Sequence, residues 1–173
     1  MKFNSKRIAL LAMLTAMASI TFIIEGLFPP LFIPGAKMGL SNIFSMLAVV
    51  LLSPIDAIIL VAIRTTLGAL ITGSMSSWLY SFFAGVASVA VAGFLYWFFA
   101  DKVSLISISV AAAVVHNVVQ NTVFCLVTQT PELYAYLPYL ALLGVVAGAL
   151  VGVATVLILK YVPFGRFLDT SLE

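Results

Sequence analysis

The side chains most out of keeping with their surroundings are Arg64, His116, Asn117, Gln120 and Asn121, each set inside a long apolar run. A guanidinium in hydrocarbon costs several kcal/mol, of order 3, unless it is paired or hydrated. Asp56 lies nearer the other end of the same run, so Glu25 is the one carboxylate the sequence places within reach of Arg64. Two roles stand open for Arg64. It bridges to Glu25, snorkels or bonds backbone carbonyls, or its planar fork meets an anionic group of a ligand. On a helix, at about 100° per residue, His116, Asn117, Gln120 and Asn121 share one sector roughly 140° wide, with Ser109, Ala113 and Thr128 inside it. Amide and imidazole groups cannot face lipid, so this sector lines either a polar helix contact or a cavity. Lys37 and Asn42 close a glycine-containing segment, Gly35-Ala36-Lys37-Met38-Gly39-Leu40-Ser41-Asn42. Its glycines let backbone approach a ligand. A helix starting near Ser41 would aim its amides, and the positive end of its dipole, at an anion. Lys37 is then a natural lid charge, and otherwise an ordinary interfacial lysine.

The elements that must position these groups are membrane spans. The chain has 173 residues, 64% of them hydrophobic and 8% charged, with a mean hydropathy of +1.24. A soluble domain carries about 25% charged residues; eight basic and six acidic side chains cannot cover a water-facing surface of this size. The expected fold is all-α: one integral membrane domain over residues 1–173, with about six spans near 7–25, 40–52, 55–72, 78–99, 105–127 and 139–161. The second is far shorter than the roughly 20 residues that cross a bilayer. The Gly26–Gly39 segment, rich in proline and glycine, is expected to fold back into the outer half of the bundle, where irregular backbone is tolerated only beside protein or a cavity. Lys2, Lys6, Arg7, Lys102, Lys160 and Arg166 fall on one side of a six-span arrangement, and Lys37 on the other. Both termini are therefore expected in the cytoplasm. The charged start and the apolar run Ile8–Phe28 resemble a signal peptide, but the run is too long for one and further spans follow.

Small residues recur at helical spacing, as close helix packing in lipid requires. Ala9, Ala12, Ala16 and Ser19 form a stripe on the first span that suits either bundle packing or a partner membrane protein. Ser81, Gly85, Ser88 and Ala92 on the fourth, and Gly144, Gly148 and Gly152 on the sixth, suit packing within the bundle. Trp78, Tyr80, Tyr134, Tyr136 and Tyr139 map to the outer boundary as an interfacial belt. The lone Cys125 excludes an internal disulfide and a thiolate metal site. No aspartate-rich pair is present to hold magnesium and a diphosphate, no second histidine to complete a metal site, and no phosphate-binding loop to hydrolyse ATP. The basic residues form no stripe that would suit nucleic acid.

Four motifs together resemble a known family. They are Gly35-x-Lys37-x-Gly39-Leu40-x-Asn42, Arg64 with Leu67, Tyr80-Ser81 with Gly85, and His116-Asn117-x-x-Gln120. The chain is similar over most of its length to the Gx transporter family, also labelled heptaprenyl diphosphate synthase component I. That family is similar in size and layout to the substrate-binding S components of energy-coupling factor (ECF) transporters. The resemblance implies a six-helix bundle in a bacterial plasma membrane that captures a small molecule, a vitamin or related micronutrient, from outside. It implies a transmembrane coupling subunit and two cytoplasmic ATPases as partners, with ATP used by them and no cofactor in this chain. In many S components an AxxxA motif on the first helix touches the coupling subunit; Ala12 and Ala16 match it here, beside Ala9. The expected ligand cavity lies between the first loop and the third, fifth and sixth spans. Arg64 and Lys37 would neutralise an anion there, with Asn42, His116, Asn117, Gln120 and Asn121 orienting it. The expected function is a non-enzymatic binding subunit. Its alternatives are a non-catalytic membrane partner of polyprenyl diphosphate or quinone synthesis, and a stand-alone secondary carrier.

Overall fold

A computed structural model describes residues 5–27 and 39–164. Six α-helices follow one another: α1 (Ser5–Leu27), α2 (Asn42–Leu51), α3 (Pro54–Thr72), α4 (Met75–Phe99), α5 (Leu105–Thr128) and α6 (Leu137–Tyr161). A short 3₁₀ helix, Pro131–Tyr136, joins the last two. Five helices are long and apolar enough to cross a membrane, and α2 is a shorter apolar helix. The chain is a multi-pass membrane protein. The short polar breaks fix the boundaries. Ser53, Ser74 and Ser104 each accept a bond from the backbone N–H three residues on, capping α3, α4 and α5. Gly73, with φ of 68°, ends α3 in the left-handed conformation that a side chain disfavours.

At ten residues, α2 spans about 15 Å, half of a typical hydrocarbon core. Five consecutive residues, Ser45 to Val49, are buried. Apart from the Asn42–Ser45 face α2 is apolar, and it packs against α1, α3, α4 and α6. Around it lie Leu10, Leu14 and Ala18 of α1, Leu60 and Val61 of α3, Val89 and Ala92 of α4, and Ile108 and Ala112 of α5. The outer faces carry residues that suit lipid, such as Leu70 at 70% exposure and Trp97 at 81%.

The tightest contact is α5 against α6, and it is built from glycine. A Cβ on Gly144, Gly148 or Gly152 would come within 3.0, 2.6 and 2.8 Å of the Cα atoms of Val114, Val110 and Ile106. The doubled GxxxG is thus a packing face, as the spacing predicts. Ser81, Gly85, Ser88 and Ala92 are likewise buried on α4. On α1 the stripe divides. Ser19 is buried and donates to the Thr15 carbonyl at 2.8 Å, whereas Ala9, Ala12 and Ala16 face outward.

A charged cluster ties α1 to the α2–α3 turn. Arg7 donates to Asp56 Oδ2 through Nε at 3.1 Å and through Nη2, and its Nη2 also reaches Ser53 Oγ at 3.1 Å. Asp56 is 1% exposed and also accepts from Ser53 Oγ at 2.8 Å. The sequence shows Arg7 and Asp56 on the same side of the membrane, but not that they pair.

Candidate functional site

Arg64 projects from the middle of α3 and is 2% exposed, the largest of the fully buried side chains. Its Nη2 donates to Asn42 Oδ1 at 2.7 Å. The guanidinium carbon lies 5.9 Å from the centre of the Phe22 ring, close enough for a weak cation–π attraction. Nε and Nη1 are buried with no hydrogen-bond partner among the described residues. Glycine makes the space: a Cβ on Gly85 would meet Val61 at 2.6 Å and Arg64 Nη2 at 3.7 Å.

Asn42 is the first residue of α2, so the Arg64 bond is made at that helix's N-terminus. The turn before it depends on Gly39, whose φ is 74°; a Cβ there would lie 2.9 Å from Asn42 Nδ2. The expectation that α2's leading amides are open to a ligand anion needs correction. Asn42 N and Ile43 N already bond the Gly39 and Leu40 carbonyls, and the two amides before them are taken by Glu25, at the end of α1, whose carboxylate accepts from Leu40 N at 2.7 Å and Ser41 N at 3.4 Å. Glu25 therefore holds the turn that leads into α2, and the hydrogen bond Arg64 makes goes to an amide oxygen.

A cavity of about 50 Å³ lies between α2, α4, α5 and α6, with Asn42, Ser45, Ser88, Ser109, His116 and Asn117 contributing its polar wall. Of the expected walls, the end of the first loop at Gly39, α5 and α6 are present, and α2 and α4 stand where α3 was expected. Because α2 occupies the centre, α3 is screened from the cavity, and Arg64 reaches it only through Asn42. The volume suits a few water-sized groups or one small anionic headgroup, well below the 300 Å³ or more of a typical ligand pocket. A larger compound can enter only if α2 or its neighbours move.

The polar sector of α5 splits between the two roles left open. Asn117 donates to the Leu140 carbonyl at 2.9 Å and Asn121 to the Leu133 carbonyl at 3.3 Å, so both tie α5 to the α6 side. Asn117 and His116 also line the cavity, whereas Gln120 and Asn121 lie off its wall and are buried. Of the seven expected ligand residues, Asn42, His116 and Asn117 meet at one cavity, and Arg64 stands behind Asn42. Lys37 lies outside the described residues, as does most of the segment expected to fold back. Sequence reasoning passes over Ser45. Its hydroxyl is buried without a partner among the described residues, one turn after Asn42 on the same face of α2. The Asn42–Ser45 spacing is the signal that could have found it.

Of the expected boundary aromatics, Trp78 and Tyr80 make contacts within the bundle. Trp78 stacks on Phe82 at 5.2 Å and donates to Thr66, and Tyr80 meets Phe124 edge-on at 5.5 Å. Tyr134, Tyr136 and Tyr139 are exposed, as the belt requires. A second cavity, about 170 Å³, is lined by Phe22, Thr65, Thr72, Ser74, Ser77 and Trp78. Its polar groups are hydroxyls and one indole, most already engaged by helix carbonyls and caps.

This arrangement of helices recurs in a solved structure described as the S component of a bacterial ECF transporter. The match covers 95% of this chain and 98% of that one, with a TM-score of 0.72 and 23% identity. The molecule is a membrane protein with the S-component fold. It belongs to the heptaprenyl diphosphate synthase component I family, also called the Gx transporter family, whose model matches residues 14–158. No curated protein matches the chain.

Proposed function

We propose that this protein is the substrate-binding membrane subunit of an ECF-type importer and that it captures a small anionic compound from outside. The observation that carries this reading is Arg64. Its guanidinium is 2% exposed, has an amide as its hydrogen-bonded neighbour, and has two nitrogens without partners among the described residues. Such a group is costly to maintain in a membrane. An anionic ligand group reaching past Asn42, which separates Arg64 from the cavity, would supply the missing acceptors. Such groups match the planar fork of arginine better than any neutral acceptor does. Asn42, Ser45, His116 and Asn117 would orient the rest of the compound. The match to a transporter S component supports this reading at the level of fold. Lys37 belongs to the proposed site through its motif alone, Gln120 and Asn121 as buried polar support behind it.

Ala9, Ala12 and Ala16 form the proposed docking face for a coupling membrane subunit. Their exposure on α1 leaves them available for close helix contact. Two cytoplasmic ATPases would then drive the cycle, and this chain would perform no chemistry of its own. The family description favours a second reading, a non-catalytic membrane partner of a prenyl diphosphate synthase. Affinity purification of the tagged chain from its native membrane in mild detergent separates the two. A membrane subunit together with two ATPases is the expected result. A soluble prenyl synthase subunit without ATPases would overturn it.

A further inference from the structure

Glu25 belongs to α1, the helix with the outward alanine face, yet its carboxylate sits on the N-terminal amides of α2. Those amides are a ready anion site. Leu40 N and Ser41 N precede the first helical turn, and each is bonded to the Glu25 carboxylate. The same turn carries Asn42, which holds Arg64 by one nitrogen while Nε and Nη1 remain unpartnered among the described residues. Three sources of positive potential thus converge: the two amides, the end of the α2 dipole and a guanidinium 2% exposed. One carboxylate, supplied by the protein, occupies part of that site.

Resting on the anionic-ligand reading above, we infer that Glu25 is a placeholder: the carboxylate or phosphate group of the ligand displaces it from Leu40 and Ser41 and takes those amides together with Arg64. Two anions cannot share the site cheaply, because like charges a few ångströms apart repel strongly in a low dielectric. The cavity opens beside the same turn, since Gly39 and Asn42 line it while Leu40, Ser41 and Arg64 do not, and at about 50 Å³ it admits a headgroup but no larger compound unless α2 or its neighbours move. Releasing Glu25 removes the pin between the outer end of α1 and the start of α2, so occupancy of the site is reported to α1. That helix turns Ala9, Ala12 and Ala16 outward. The displaced carboxylate is half-buried at the end of α1, within one turn of that helix's last residue. A purely structural cap, by contrast, would stay in place and strengthen rather than oppose ligand binding.

Glu25→Gln separates the two. The amide oxygen of glutamine still accepts from Leu40, so the turn keeps its cap while the competing charge is gone. The probes are inorganic phosphate and acetate, titrated calorimetrically into the detergent-solubilised full chain at roughly millimolar anion, with amide NMR shifts of Leu40 and Ser41 as a site-specific readout. Glu25→Gln is expected to bind at least one probe about tenfold more tightly than the unaltered chain and to shift both amides. Adding Arg64→Ala is expected to abolish that binding. If Glu25→Gln binds no tighter, or binds nothing, while Arg64→Ala still removes an anion held by the unaltered chain, the placeholder falls and the anion reading stands. If Arg64→Ala binds as well as its parent, the anion reading falls and takes the placeholder with it.

Discussion

At the residue scale, the chemistry of this protein is concentrated where α2 begins. The bond from Arg64 Nη2 to Asn42, 2.7 Å long, holds one end of the guanidinium and leaves Nε and Nη1 without a partner among the described residues. Gly39 sets the turn that makes this possible. Its φ is 74°, and a Cβ there would sit 2.9 Å from Asn42 Nδ2, so the turn has no room for a side chain. Gly39→Ala is expected to lower stability by about 1–2 kcal/mol, the cost of a left-handed alanine, and to weaken ligand retention more than Ala changes elsewhere on α2. Thermal melts in detergent alongside ligand retention check both parts. An alanine variant with unchanged retention would show that the turn does not position Asn42. Much of this is legible in the sequence. A lone arginine in an apolar run announces itself, and so does a run of amides on one helix face. The division of labour within that face is not. Nothing in the spacing says that Asn117 and Asn121 donate to Leu140 and Leu133, because α6-side backbone supplies the acceptors.

At the scale of elements, the spans are largely readable, and for one reason. Lipid demands long apolar helices with polar breaks, and the breaks here are the capping serines 53, 74 and 104. The shortness of α2 is equally plain, but its place at the centre is not. Centrality follows from packing on all sides, which hydropathy cannot distinguish from exposure to lipid; both environments select the same residues. That ambiguity is why α2 and α4, rather than the expected α3, join α5 and α6 in the cavity wall. The α5–α6 contact carries its own prediction. Gly148 packs against backbone at Val110 Cα and the Ser109 carbonyl, which cannot move aside as a flexible side chain can. Gly148→Leu is expected to destabilise the bundle by about 3 kcal/mol or more, the upper range for overpacking. Resistance to denaturing detergent reads this out, with Leu150→Ala on the exposed face as the mild control.

At the scale of the whole molecule, the bundle has the S-component fold, and its α1 turns Ala9, Ala12 and Ala16 outward. Ala12→Leu with Ala16→Leu adds bulk on that face without touching the cavity or the core. The pair is expected to leave ligand retention unchanged and to reduce recovery of the coupling subunit and ATPases at least about tenfold in affinity purification. Full recovery would place the docking surface elsewhere. The claim beneath all of these is that the buried guanidinium exists to meet an anion. Native mass spectrometry of the purified chain tests it most directly. The unaltered protein is expected to carry one small anionic compound, and the Arg64→Ala protein, folded by thermal melt, to carry it at roughly a hundredth of the affinity or not at all. Equal occupancy of the same compound in both proteins, or a bound compound with no anionic group, would contradict the account.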